Sequence, residues 1–384
     1  MDTTLCASTA YQYWRTPPIV KLLATGQEDD YLLKNCLTEA ELTAARTEIV
    51  ERLSFSRACS VARRTQGQDL RVVRESSPLI SLFDDGPVEL LARTPEQRHT
   101  TSVTRYALWK SPLPVGSVKG ITYDLEVTSP AFTLVQLASR SPLTRAVMLA
   151  SELCGGYAVY RAPQPVSSLL QRMVDRGKLP TIEGWRPCLN AGNKLGELWS
   201  RPPLTTPNEL EDFLAQADFV RGRKTFRDAI GLVKPLAASP FETQAGILLG
   251  FSRRRGGEGF GDFTFNEKVE LTSDAKLLAQ RQCCYCDLFW PDGLDVECQS
   301  AAFHDNEPSF LSDSDRIAAL SLEGVAVLPL TYAQLNSPSR FAAFSGAVAR
   351  ALKRPQRDKT AAQEAAARKL RGELFVDWWK LPIG

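Results

Sequence analysis

Hydrophobic positions change their period several times along the chain, and each change predicts an element. Before about Asp30 no period is sustained. Tyr11, Tyr13 and Trp14 are followed by the pair Pro17 and Pro18, which predicts an irregular arm packed on a later domain. From Thr38 the pattern turns helical: Thr38 and Glu41 are spaced as a capping box, and Leu42, Ala45, Ile49 and Leu53 recur on one face. Between Asp69 and Val127 there are short β-prone runs at Leu70 to Val73, Val103 to Trp109 and Ile121 to Val127. Asp-Asp-Gly and Pro-Val-Gly turns separate them, and together they predict a small sheet. Ser129 and Pro130 signal a helix start, and two helices, Phe132 to Ala138 and Leu143 to Cys154, are closed by Gly155 and Gly156. A helical segment with proline-rich interruptions, such as Arg201 to Pro207, is expected as far as about Val233.

Ser239 and Pro240 open the last domain, because serine caps a helix and proline suits its first position. A helix is expected from Pro240 to about Phe251. β-prone runs then follow near Phe263 to Leu271, Cys283 to Trp290 and Gly293 to Gln299. After a helix from about Ser312 to Glu323 comes a buried run, Val325 to Leu330, expected as a central strand flanked by helices, and then a helix near Ser337 to Leu352. The order is α-β-β-β-α-β-α. Beyond it, Asp358 to Leu374 has strong helix propensity, and Leu374, Phe375, Trp378 and Trp379 form an apolar patch with which a C-terminal helix docks on its own protein. The fold class expected is α+β and multidomain. Its parts are an arm and helix (1–68), a mixed sheet and helical domain (69–235), an α/β domain (239–352) and a C-terminal helix (353–384).

Composition narrows the setting. With 384 residues, 43% hydrophobic and 23% charged, the chain has enough apolar surface to fold into more than one ordinary core. Its 46 basic and 44 acidic residues nearly cancel, so no global field draws it to nucleic acid. Local basic clusters at Arg253, Arg254 and Arg255 and at Lys353, Arg354 and Arg357 are solvated charge or phosphate contacts. Nine cysteines make an odd count without a secreted framework, the N-terminus lacks a signal-peptide pattern, and no run approaches the roughly 20 apolar residues of a membrane span. A reduced, cytoplasmic protein without membrane contact is expected.

Candidate chemistry concentrates in the last third. Asp287 lies in the run Cys-Asp-Leu-Phe-Trp, and after the turn Pro291 to Gly293 the next run carries Glu297. A tight hairpin brings two such carboxylates together, the arrangement that Mg²⁺-dependent phosphodiester hydrolysis needs. Cys283, Cys284, Cys286 and Cys298 have no knuckle spacing, and their alternating orientation scatters the sulfurs, so no structural zinc is expected. The Arg-Gly-Gly-Glu-Gly-Phe-Gly run (255–261) stands between a helix and a strand, the wrong order for a dinucleotide fingerprint, and reads as a flexible loop.

The acidic pattern resembles the very-short-patch-repair-like endonuclease domains of the PD-(D/E)XK superfamily, which carry an Asp on one strand, then Glu-x-Asp-Gly and a His, then Asp-x-x-Arg. Asp287, Glu297, Gln299, Ser300, His304, Asp313 and Arg316 stand at the matching positions, with Glu242 matching an acid on the opening helix. The resemblance implies a restriction-endonuclease-like α/β core (αβββαβ) with Asp287 and Glu297 as Mg²⁺ ligands, Glu242 in support and His304 as general base or phosphate contact. Asp313 and Arg316 take part in that site or pair along their own helix. Gln299 departs from the pattern, since the residue two after the glutamate is usually acidic there and lysine in the wider class, and Cys298 and Ser300 replace the common Tyr and Gly. A second segment, Leu125 to Ala138, is similar to the region preceding this domain in abortive-infection-type antitoxins and related actinobacterial proteins, though no helix-turn-helix precedes Asp69. Two functions are implied. One is a Mg²⁺-dependent DNA endonuclease. The other is a non-catalytic DNA-binding or regulatory protein that retains a degenerate nuclease fold, with DNA, and a protein partner or a second copy, as its contacts.

Overall fold

The computed structural model describes residues 3–25, 30–47, 87–98, 104–121, 125–217, 221–299, 307–354 and 358–383, and it shows a mixed α/β protein built on three sheets. The first sheet holds β1 (Thr3–Leu5), β2 (Val88–Ala92), β3 (Thr104–Leu108), β4 (Val118–Gly120) and β5 (Leu125–Thr128) in the order β3-β2-β1-β5-β4. The three-residue β1 is therefore its central strand, parallel to β5 and antiparallel to β2. Three helices follow β1: α1 (Ala7–Arg15), α2 (Pro18–Thr25) and α3 (Asp30–Cys36). The expected irregular arm is thus corrected to a strand and helices. Pro18 begins α2 instead of ending an element, because the first helical turn needs no N–H from it. A further helix, α4 (39–47), has the expected capping box: the Thr38 and Glu41 main-chain N–H groups donate to each other's side chains at 3.0 and 3.2 Å. Ile49, Leu53 and the run Leu70 to Val73 lie outside the described residues.

The helices expected in the middle are present as α5 (Pro130–Ala138) and α6 (Leu143–Cys154). Ser129 Oγ caps α5 by accepting from Phe132 N at 3.3 Å. The segment beyond them is not simply helical. It contains β6 (Tyr157–Val159), α7 (Gln164–Asp175), β7 (Arg186–Leu189), β8 (Leu195–Ser200), α8 (Pro207–Gln216) and α9 (Arg223–Ile230), with the strands forming an antiparallel sheet in the order β6-β8-β7. These strands are short and, apart from β6 and Trp199, largely exposed, so they carry little of the alternation that marks a half-buried strand.

The last third contains α10 (Pro240–Gly250), β9 (Thr264–Glu270), α11 (Ser273–Ala279), β10 (Cys283–Trp290), β11 (Leu294–Gln299), α12 (Glu307–Leu322), β12 (Ala326–Thr331), α13 (Tyr332–Asn336) and α14 (Pro338–Ala351). The short helices α11 and α13 are additions to the expected order. The sheet runs β12-β11-β10-β9, antiparallel except that β12 pairs parallel with β11. The expected central strand is therefore an edge strand. Pro329 gives the physical reason, since a residue without an N–H is tolerated at an edge and not between two neighbours.

A single apolar core links α5 and α6 with α10, β10 and β11, and crosses the boundary expected between residues 235 and 239. The glycine-rich run is packed, which corrects the flexible-loop expectation. A Cβ on Gly256 would stand 2.4 Å from Ala366 O, and buried Glu258 accepts from Lys359 Nζ at 2.6 Å. That contact holds α15 (Ala361–Leu374) against the loop, and a 3₁₀ turn at Trp378–Lys380 carries the chain onward. Trp378 and Trp379 are buried on the protein's own surface. Trp378 Nε1 donates to Glu152 Oε2 at 2.6 Å, and Arg15, fully buried and paired with Glu152, donates from Nη1 to Trp379 O at 2.9 Å. No helix among the described residues is long and apolar enough to cross a membrane.

Candidate functional site

The site begins at the start of α10. Ser239 Oγ accepts from Glu242 N at 3.1 Å and donates to Glu242 Oε1 at 2.9 Å, so the cap fixes the carboxyl as well as the helix. Glu242 Oε2 accepts from Ala238 N at 2.7 Å and from Asn266 Nδ2 at 3.0 Å. Asn266 reaches it because β9 turns there into the left-handed region (φ 50°), which asparagine tolerates better than most residues.

The second acid comes from the strand facing Asn266. β10 and β11 pair through Leu288 with Val296 and Phe289 with Asp295, and Asp287 and Glu297 are the next residues beyond that paired stretch. Cys286 packs on the side of α12 with Leu320, whereas Leu288 packs in the main core with Trp290, so the alternation of β10 changes phase at Asp287. Asp287 Oδ2 accepts from Cys298 N at 2.8 Å. A cavity of about 580 Å³ opens here, lined by Glu242, Asp287, Glu297 and Cys298 together with Phe241, Tyr332 and Trp378.

Burial and crowding raise the proton affinity of these acids. Burial pushes Glu242 up to about 7, with the charge of Glu297 adding to it against three hydrogen bonds that favour the anion. Asp287 is pushed well above the carboxylate range by burial first, and then by the charges of Glu242 and Glu297. Asp295, fully inaccessible, is pushed up to about 8 by burial first and then by the charge of Glu297, against the charge of Arg316 and the neighbouring Cys286 thiol. Glu297 is held differently: its Oε2 accepts from Arg316 Nη2 at 2.7 Å, and its Oε1 stands 2.7 Å from Nη1 of the same guanidinium. Arg316 Nη2 also donates to Tyr285 O and stands 3.9 Å from Asp295 Oδ2. Burial opposes the Arg316 charge, but the bonds and charge of Glu297 outweigh it and hold its pKa above the ordinary value.

The structure therefore brings together Glu242, Asp287 and Glu297. Gln299 ends β11 and does not line the cavity, while His304 and Ser300 lie outside the described residues, as does the Asp313 side chain. The Mg²⁺ ion implied for Asp287 and Glu297 does not fit these residues as they stand. Glu242 and Asp287 already accept hydrogen bonds, and Arg316 covers Glu297. Among the described residues no group of three or more His, Cys, Asp or Glu side chains is placed to hold a metal ion. Of the basic clusters, Arg354 is taken up by Asp262 at 2.7 Å and Asp292 at 3.0 Å, and Arg357 lies outside the described residues. Cys284 and Cys286 pack beside Leu320, and Cys298 packs on the main core.

Two participants carried little signal in the sequence. Asp295 shares one strand face with Glu297 and Gln299, a spacing of two that a strand reading exposes but does not mark as buried. Asn266 is an isolated polar residue, and only its left-handed backbone shows its role. Comparison with family models, with curated proteins and with solved structures finds no match for this chain.

Proposed function

We propose that residues 239–352 form a PD-(D/E)XK-type domain that engages DNA, with Glu242, Asp287 and Glu297 as the acidic centre of a phosphodiester-cleaving site. The observation that carries the reading is the meeting of these three carboxyls in one cavity, at the point where β10 changes phase and β9 turns through Asn266. Acids from a helix start and from two adjoining strands, set beside a helix crossover to a parallel edge strand, are the arrangement such a site needs. The test is DNA cleavage by full-length protein in Mn²⁺ or Mg²⁺: nicking that Asp287→Asn abolishes while leaving binding in place supports the reading, and it requires Arg316 to release Glu297 when DNA and metal bind.

A second reading is a DNA-binding or regulatory protein that retains the scaffold without hydrolysis. The Arg316–Glu297 pair and the neutral Gln299 favour it. DNA bound but not cut in either metal selects the second reading. Neither binding nor cleavage of single- or double-stranded DNA removes the nuclease reading and leaves the second only as a regulator that binds a protein partner.

A further inference from the structure

The geometry points to Arg316 as the built-in counter-cation of this acid cluster, a residue that stands in for a divalent ion at Glu297 and sets how weakly the chain holds one. The guanidinium meets both oxygens of Glu297 at 2.7 Å, a planar fork matched to a carboxylate edge. Behind that pair, Asp295 is sealed from water beside Cys286, and the same guanidinium stands 3.9 Å from its Oδ2 and is the cation that opposes its raised proton affinity. The bond from Nη2 to Tyr285 O ties the group to β10, so α12 carries its cation to a fixed position between two strands. Arginine does not lose its proton at any ordinary pH, and this charge is therefore permanent. Removing it leaves Glu297, Asp287 and Glu242 to repel one another in a cavity that no basic side chain lines among the described residues, and an external cation then relieves that repulsion.

The inference rests on reading the acids as a cation site, but its test measures ion binding and not DNA cleavage. Full-length protein is titrated with MnCl₂ and free Mn²⁺ is followed by electron paramagnetic resonance. Arg316→Gln is expected to bind Mn²⁺ about tenfold or more tighter than wild type, and Arg316→Gln with Glu297→Gln to fall back to the wild-type level. Should Arg316→Gln fail to fold because Asp295 is left without its neighbouring charge, the pair Asp295→Asn with Arg316→Gln removes both charges and keeps the readout on Glu297. Wild type binding as tightly as the folded variant overturns the proposal, and so does the absence of any gain in that variant. A wild type that cuts no DNA leaves the proposal standing, whereas a missing gain in Mn²⁺ binding sinks it whatever the nuclease result.

Discussion

Burial is the main cause of the raised proton affinity of Asp295, the carboxyl sealed from water at the second position of β11, and its charged neighbours adjust it further. Asp295 is raised to about 8 and Glu242 to about 7, so both bind a proton more tightly folded than unfolded. Their contribution to stability is complete below the unfolded carboxyl range, near about pH 4, and is lost as pH rises through about 7 for Glu242 and about 8 for Asp295. Wild-type stability in urea is therefore expected to fall between about pH 5 and 8.5, and Asp295→Asn to lose less over that range, by on the order of 2 kcal/mol. Parallel falls in the two proteins would show that Asp295 is not the source. Glu242 moves in the same direction, but its three hydrogen bonds make Glu242→Gln a less clean probe, because an amide NH₂ would replace one of two oxygens that both accept, Oε2 from two N–H groups and Oε1 from the Ser239 hydroxyl.

At the level of elements, the legible parts of the sequence were those whose burial matches their period. Cys283 to Trp290 is readable to the residue as β10, and the turn through Gly293 is enough to expect Asp287 and Glu297, which line one cavity, on adjoining strands. β1 was not legible, because three residues are too few to show alternation, and its central place comes from partners more than 80 residues away. β12 was found, but its edge position was missed although Pro329 signalled it. The site was legible in its charged ligands and not in its supports, since the roles of Asn266 and Asp295 depend on backbone conformation and burial. The glycine-rich run shows the same limit: composition reads as freedom, whereas Gly256 is required by contact. Gly256→Ala forces a Cβ at φ 92° to within 2.4 Å of Ala366 O. We expect it to cost more than about 1 kcal/mol, seen as a lower urea midpoint with an unchanged slope. An unchanged midpoint would mean that α15 shifts freely.

Across the whole molecule, the buried pair of Arg15 and Glu152 joins three distant parts of the chain. Glu152 accepts from Arg15, from Val159 N at 3.1 Å and from Trp378 Nε1 at 2.6 Å, while the Arg15 guanidinium also reaches the Trp379 carbonyl. Glu152→Ala leaves the guanidinium buried without its anion, and about 3–5 kcal/mol of stability is expected to go with it. Proteolysis should then begin beyond Leu374, where the terminal tryptophans lose their anchor. A cost below about 1 kcal/mol, with the C-terminus still protected, would show that packing alone seats them. The same pair also governs the order in which a growing chain is completed. Arg15 is translated 364 residues before its carbonyl partner, and Trp379 packs into the cluster that holds Leu5, Ile19 and Val20. At about 5–20 residues per second that interval is roughly 20 to 70 s, so α1 and α2 wait that long for Trp378 and Trp379, and a nascent chain that stops short of them exposes the seam they cover.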